Sequence, residues 1–126
     1  MTEKRFSIIA RIKSTNHAWR GLGVFLRITH NLWLYIFFAA LAIYLGFILR
    51  LSGVEWAIII FAIGLVVVAE AFNTAIEIDI DLTSPEYHPY ARDTKDVSAG
   101  AVSIAVIVAG IMGLIIFLPK ILALYF

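Results

Sequence analysis

Three stretches of this chain, Leu32 to Leu49, Trp56 to Ala69 and Val97 to Pro119, contain no charged residue. About 20 apolar residues, rising ~1.5 Å each, cross a ~30 Å hydrocarbon core. The first and third runs reach that length alone. The second does so only by continuing to about Ile78, through polar residues that begin at Glu70. Short turns fit between them, at Arg50 to Glu55 with its Ser52-Gly53 pair and at Thr83 to Lys95 with its two X-Pro steps. The fold class expected is therefore an all-α membrane protein, with spans at 32–50, 56–80 and 96–119 behind a surface segment, 1–31. A length of 126 residues allows one domain, and a content of 62% hydrophobic against 15% charged residues excludes an ordinary soluble one.

Charge is unevenly spread: six of the ten basic residues precede residue 28, against the single acid Glu3. Residues 5 to 28 read as an amphipathic helix lying on the membrane, with Ile8, Ile9, Ile12, Trp19, Leu22 and Leu26 on one face. Thr15, Asn16, Gly21 and Gly23 weaken its interior, so one rod and two shorter helices are both compatible with it. Such a basic flank fits an anionic membrane surface, and no nucleic-acid partner is expected. By the positive-inside rule it is cytoplasmic, which puts the Thr83 to Lys95 loop inside as well, and the chain is expected in the bacterial inner membrane. There is no cysteine, hence no disulfide framework. The first apolar run begins too late for a secretory signal peptide, so the N-terminus is expected to be retained.

Seven of the nine acids lie between Glu70 and Asp96, where hydropathy predicts membrane and its edge. At ~100° per residue Glu70, Asn73, Glu77 and Asp81 fall within an arc of roughly 80°, while Asp79 points away. A polar stripe is costly in hydrocarbon unless it faces protein, water or an ion. Two carboxylates on one helix face can divide labour, one as a base and one on a divalent cation, and Lys95 is the nearest cation in sequence for a travelling phosphoryl group. Asp93 or Thr94 is expected to cap the third span, with Lys95 and Asp96 in its first turn. No P-loop or G-x-G-x-x-G motif occurs. Spacing alone leaves three uses open: catalysis, a polar seam between helices, or an ion path. Ala101, Ala105, Ala109 and Gly113 form a ridge of small residues suited to close helix contact in lipid. Trp19, Trp33, Trp56 and Tyr35 read as interface anchors, and His17, His30 and His88 lack metal-ligand spacing.

The run Glu70-x-x-Asn73-Thr74-Ala75-Ile76-Glu77-x-x-x-Asp81, followed by Lys95-Asp96 and Ser98-Ala99-Gly100-Ala101-Val102, resembles the prokaryotic diacylglycerol kinase and undecaprenol kinase family. Pro85-Glu86-Tyr87-His88-Pro89 and the segment Gly113 to Lys120 look most like its undecaprenol kinase side, and Trp19-Arg20-Gly21-Leu22 extends the similarity into the surface helix.

The resemblance implies a homotrimeric lipid kinase with shared active sites, which passes the γ-phosphate of ATP, with Mg²⁺, to the hydroxyl of undecaprenol or diacylglycerol at the cytoplasmic face. It implies Glu70 as the base and a substrate contact, Glu77 as the metal carboxylate, and Asn73, Lys95 and Asp96 as nucleotide contacts. Trp19 is a further substrate contact, with Asp81 and Asn31 in support. Where the family carries a second metal-binding glutamate this chain has Thr29, flanked by His30 and Asn31. A threonine hydroxyl can ligate Mg²⁺ but brings no charge. The alternative is thus a weakened or inactive relative that serves as a membrane assembly or regulatory protein.

Overall fold

The structure is a computed structural model that describes residues 6–126. The chain divides into an N-terminal unit ending at His30 and a C-terminal unit, Asn31–Phe126. Glu3, Lys4 and Arg5 of the basic flank lie outside the described residues.

The first unit holds α1, Ile8–Ile28. Ser7 caps it, its hydroxyl accepting the Ala10 N–H at 3.3 Å. The helix runs unbroken past Gly21 and Gly23, which settles the choice between one rod and two in favour of one. Two glycines cost about 1 kcal/mol each in a helix, too little to break a 21-residue ladder. The apolar residues Ile8, Ile9, Ile12, Trp19, Leu22 and Leu26 are all exposed, as a face meant for lipid should be. The helix stops at Thr29, whose extended backbone (φ −64°, ψ 122°) leaves the helix while its N–H still reaches the Phe25 carbonyl at 3.0 Å.

In the second unit Asn31, in the left-handed region at φ 58°, leads into α2, Leu32–Ile48. Asparagine tolerates that conformation better than most residues. Arg50 adopts it too, at φ 54°, and so turns the Leu51 N–H back onto the Gly46 carbonyl at 3.1 Å, which satisfies an otherwise orphaned helix end. Ser52 then opens α3, Gly53–Thr83, by a reciprocal cap: its hydroxyl accepts the Glu55 N–H at 3.2 Å and its own N–H donates to Glu55 Oε2 at 3.1 Å.

The last helix, α4, is Pro89–Tyr125. It starts well before the uncharged run. His88 is its cap, Nδ1 accepting the Tyr90 N–H at 3.1 Å, and Pro89 fills the first helical position. Asp93 and Thr94, expected as caps, therefore lie inside the helix, and Lys95 and Asp96 sit about two turns in. The helix also continues through Pro119, the expected end of the span, and its next residue, Lys120, pairs with Glu55 Oε2 at 3.2 Å.

α3 and α4 pair along their length as an antiparallel hairpin, with α2 beside them. Ile59 and Ile116 join Leu51 in a small core flanked by Ala42, Trp56 and Phe117. Of the small-residue ridge, Ala105 is buried and Ala109 and Gly113 half-buried, whereas Ala101 is exposed. α3 and α4 are long and apolar enough to cross a membrane, and α2, with 17 residues and no charge, sits at the short end of that range. The protein is an all-α, multi-pass membrane protein.

The outer rim of the Trp56 ring packs against Gly46. A Cβ there would come within 2.5 Å of Trp56 Cη2 and 2.9 Å of Cζ2. Gly46→Ala is expected to lower stability by about 1–3 kcal/mol through overpacking. Thermal unfolding in detergent measures it, and Gly46→Ala should cost much less when made in a Trp56→Leu background, where the obstructing ring is gone.

Candidate functional site

The polar stripe occupies the second half of α3, and its members meet two different helices. Glu70 is only 8% exposed and accepts a hydrogen bond at Oε1 from the Tyr35 hydroxyl of α2. Thr74, one turn on, is buried as well. Asn73 turns the other way: its Oδ1 accepts from Ser98 Oγ of α4 at 2.8 Å, and its Nδ2 donates to Glu77 Oε1 at 3.1 Å. The carboxylate of Glu77, which only accepts, fixes the amide's orientation, and the Ser98 hydroxyl donates to the end that remains. One carboxylate oxygen of Glu77 is held by this relay, which leaves its other oxygen for further ligands.

Farther toward the helix end, Asp81 Oδ1 takes a hydrogen bond from Lys95 Nζ at 2.6 Å. Lys95 precedes the uncharged run of α4. The hydrogen bond from its ammonium to Asp81 pushes the lysine up from its ordinary value, and Glu77 contributes a smaller Coulombic part. The pair is solvent-accessible, so Lys95 can exchange this carboxylate for another anion at small cost. Asp96 pairs with Arg92 at 3.7 Å on the outer face of α4.

Between α3 and α4 an open groove of about 600 Å³ runs from Ala69 and Ala101 to Tyr90 and Asp93. Phe72, Ile76 and Val97 give it apolar walls, and Asn73 and Ser98 form its polar floor. Such a cleft suits a hydrocarbon chain with one polar end.

The residues expected at the site are thus divided among three places. Glu70, Asn73, Glu77 and Asp81 follow one another along α3 in three separately bonded groups, Tyr35–Glu70, Ser98–Asn73–Glu77 and Lys95–Asp81, and Asp96 pairs with Arg92 on α4. Trp19 and Thr29 belong to the first unit, Trp19 exposed on α1 and Thr29 half-buried at its end. Asn31 sits at the left-handed turn into α2, without a side-chain capping bond. Two residues escaped the sequence reading: Tyr35, taken for an interface anchor, and Ser98, noted only within a motif. The signal for Tyr35 was a phenol inside an apolar run, whose hydroxyl needs a partner. For Ser98 it was a hydroxyl aligned with buried Val102 and Ala105 on the contact face of α4.

Among the described residues no three acidic or histidine side chains cluster as a protein-only metal cage. Mg²⁺ does not require one, since it commonly takes one or two carboxylates and completes its shell with substrate phosphates and water. Glu77, with one oxygen uncommitted and Asn73 beside it, fits that pattern.

Fold and site together define an integral membrane protein with an acidic, hydrogen-bonded site built on a membrane helix. A profile of the prokaryotic diacylglycerol kinase family matches residues 16–117. The chain is 41% identical over 108 residues to an undecaprenol kinase of Bacillus subtilis, a match covering 86% of this chain and 88% of that one. It is 34% identical over 112 residues to a diacylglycerol kinase of Synechocystis, covering 88% of this chain and 64% of that one. With a diacylglycerol kinase of Escherichia coli it shares 35% over 69 residues, covering 55% and 57%. The chain belongs to the prokaryotic diacylglycerol kinase family, and so is a membrane lipid kinase that performs nucleotide-dependent phosphoryl transfer.

Ser98→Ala removes the hydroxyl that holds the Asn73 amide. A loss of about 1 kcal/mol is expected, typical for one net hydrogen bond between membrane helices. Thermal unfolding in detergent should register it, with Ser98→Thr close to the native protein.

Proposed function

We propose that this chain transfers the γ-phosphate of MgATP to the hydroxyl of a membrane lipid alcohol at the cytoplasmic face, with undecaprenol as first candidate and diacylglycerol as second. The observation that carries the reading is the placement of Glu70: a buried carboxylate on a membrane helix, one turn from the Asn73–Glu77 relay. The preference for undecaprenol rests on the Bacillus undecaprenol kinase, which matches at higher identity and over more of its own length than the two diacylglycerol kinases.

Glu70 is the general base. It accepts the proton of the lipid hydroxyl as that oxygen forms its bond to the γ-phosphorus, and the bond to the ADP oxygen breaks. Glu77 would hold Mg²⁺, Asn73 would support the ion and the nucleotide phosphates, and Thr29 would add a neutral ligand at most. The bound ion supplies charge neutralisation on the phosphate oxygens. Lys95 leaves Asp81 for the phosphate tail, with Asp81 as its resting partner, and Asp96 borders the nucleotide. The groove between α3 and α4 takes the acyl or prenyl chain along the apolar walls of Phe72, Ile76 and Val97, and Trp19 is a further lipid contact. Asn31 supports the turn that leads into the site. The active form is a homotrimer in the inner membrane with the N-terminus cytoplasmic, its sites shared between neighbours.

Thr29 favours a second reading, a kinase weakened or silenced by loss of one metal carboxylate and kept as an assembly or regulatory partner. A single experiment separates the two: transfer of labelled γ-phosphate from MgATP to undecaprenol and to diacylglycerol in mixed micelles, for the native chain, Glu70→Gln and Thr29→Glu. Native transfer should fall by about 10²–10⁴-fold in Glu70→Gln, the range for loss of a general base. Thr29→Glu should lower the Mg²⁺ concentration needed for half-maximal rate. Transfer seen only in Thr29→Glu would establish the second reading instead.

A further inference from the structure

We propose that Tyr35 is a positioning residue for Glu70: its hydroxyl fixes one carboxylate oxygen and thereby presents the other to the lipid hydroxyl. This rests on the reading of Glu70 as the base.

The case begins with the cost of the carboxylate. Glu70 is 8% exposed, and ionised carboxylates are seldom buried unless something donates to them. The donor is the Tyr35 phenol, half-buried on α2 and directed at Oε1. The other tyrosine of α2, Tyr44, is exposed. Tyrosine suits the task because its ring has only two side-chain torsions, so the hydroxyl is carried to a fixed point by the packing of α2.

The bond also selects between oxygens. Oε1 is committed to the phenol, and Oε2 is the atom that remains for the substrate. Nothing in this arrangement brings Tyr35 to the phosphate. Its proton points at Glu70, so it acts through the base. α2 also meets α3 at Gly46, against Trp56, about three turns away from Tyr35. That second contact anchors α2 independently of the phenol, so removing the hydroxyl should leave the helix in place.

The test is Tyr35→Phe in the labelled-phosphate assay with MgATP and undecaprenol in mixed micelles, scored per folded protein by gel filtration in detergent. Removing one hydrogen bond to a charged group should lower kcat by about tenfold, with KM for both MgATP and lipid unchanged. Glu70→Asp supplies the control for coupling, since it withdraws the carboxylate from the phenol by one methylene. Adding Tyr35→Phe to Glu70→Asp should cost less than about twofold more if the phenol acts only through this carboxylate.

An unchanged kcat in Tyr35→Phe would overturn the inference. So would a loss confined to KM, or a further tenfold loss in the Glu70→Asp background. A rise in kcat would overturn it in the opposite sense, by making the phenol a competitor of the lipid hydroxyl for Glu70. Glu70→Gln, run in parallel, keeps the two levels apart. Normal turnover by Glu70→Gln removes the base assignment itself, whereas an inactive Glu70→Gln beside a fully active Tyr35→Phe removes only the role given to Tyr35.

Discussion

The arrangement of this protein depends on the price of a polar side chain in hydrocarbon. α3 carries Glu70, Asn73 and Glu77 where its apolar run would otherwise continue, and each needs a partner that lipid cannot provide. The partners come from both neighbours, Tyr35 of α2 and Ser98 of α4. Hydrogen bonding to the stripe therefore sets which faces of α2 and α4 turn inward at this end of the helices. Lipid packing alone would leave that choice weakly determined, because apolar side chains are as content in acyl chains as in one another.

The same constraint separates the site into parts with different freedom. Glu70 and the Ser98–Asn73–Glu77 relay are buried or half-buried and bonded on the protein side, so their geometry is set before any ligand arrives. Such preorganisation is what phosphoryl transfer needs most, since its catalysis is largely positioning and charge stabilisation. Asp81 and Lys95 are exposed and joined by a pair that water screens. A lysine in that state can trade one anion for another, which fits the proposed move from carboxylate to phosphate.

The far end of the hairpin is closed by different means. Ser52 and Glu55 cap the start of α3, and Glu55 also holds Lys120 near the end of α4. One carboxylate thus joins the first turn of one helix to the last turns of the other, and α4 passes through Pro119 without ending. Together with Trp56 against Gly46, these contacts fix the three helices at the end remote from the stripe. The polar site is free of that burden.

By itself the sequence determined the helices and the face that matters. Uncharged runs of membrane length can satisfy their backbone in lipid only as helices, and residues spaced three and four apart must share a side, so the class of fold and the set Glu70, Asn73, Glu77 and Asp81 were legible without coordinates. The start of α4 was not, because hydropathy marks where lipid begins and the helix begins seven residues sooner, at the local His88–Pro89 cap. Nor were the partners legible: Tyr35 read as an interface anchor and Lys95 as a helix-start cation. Only the tertiary structure brought the phenol to a carboxylate 35 residues on and the lysine to one 14 residues back. Periodicity fixes where a side chain points on its own helix, whereas its partner depends on how separate helices pack.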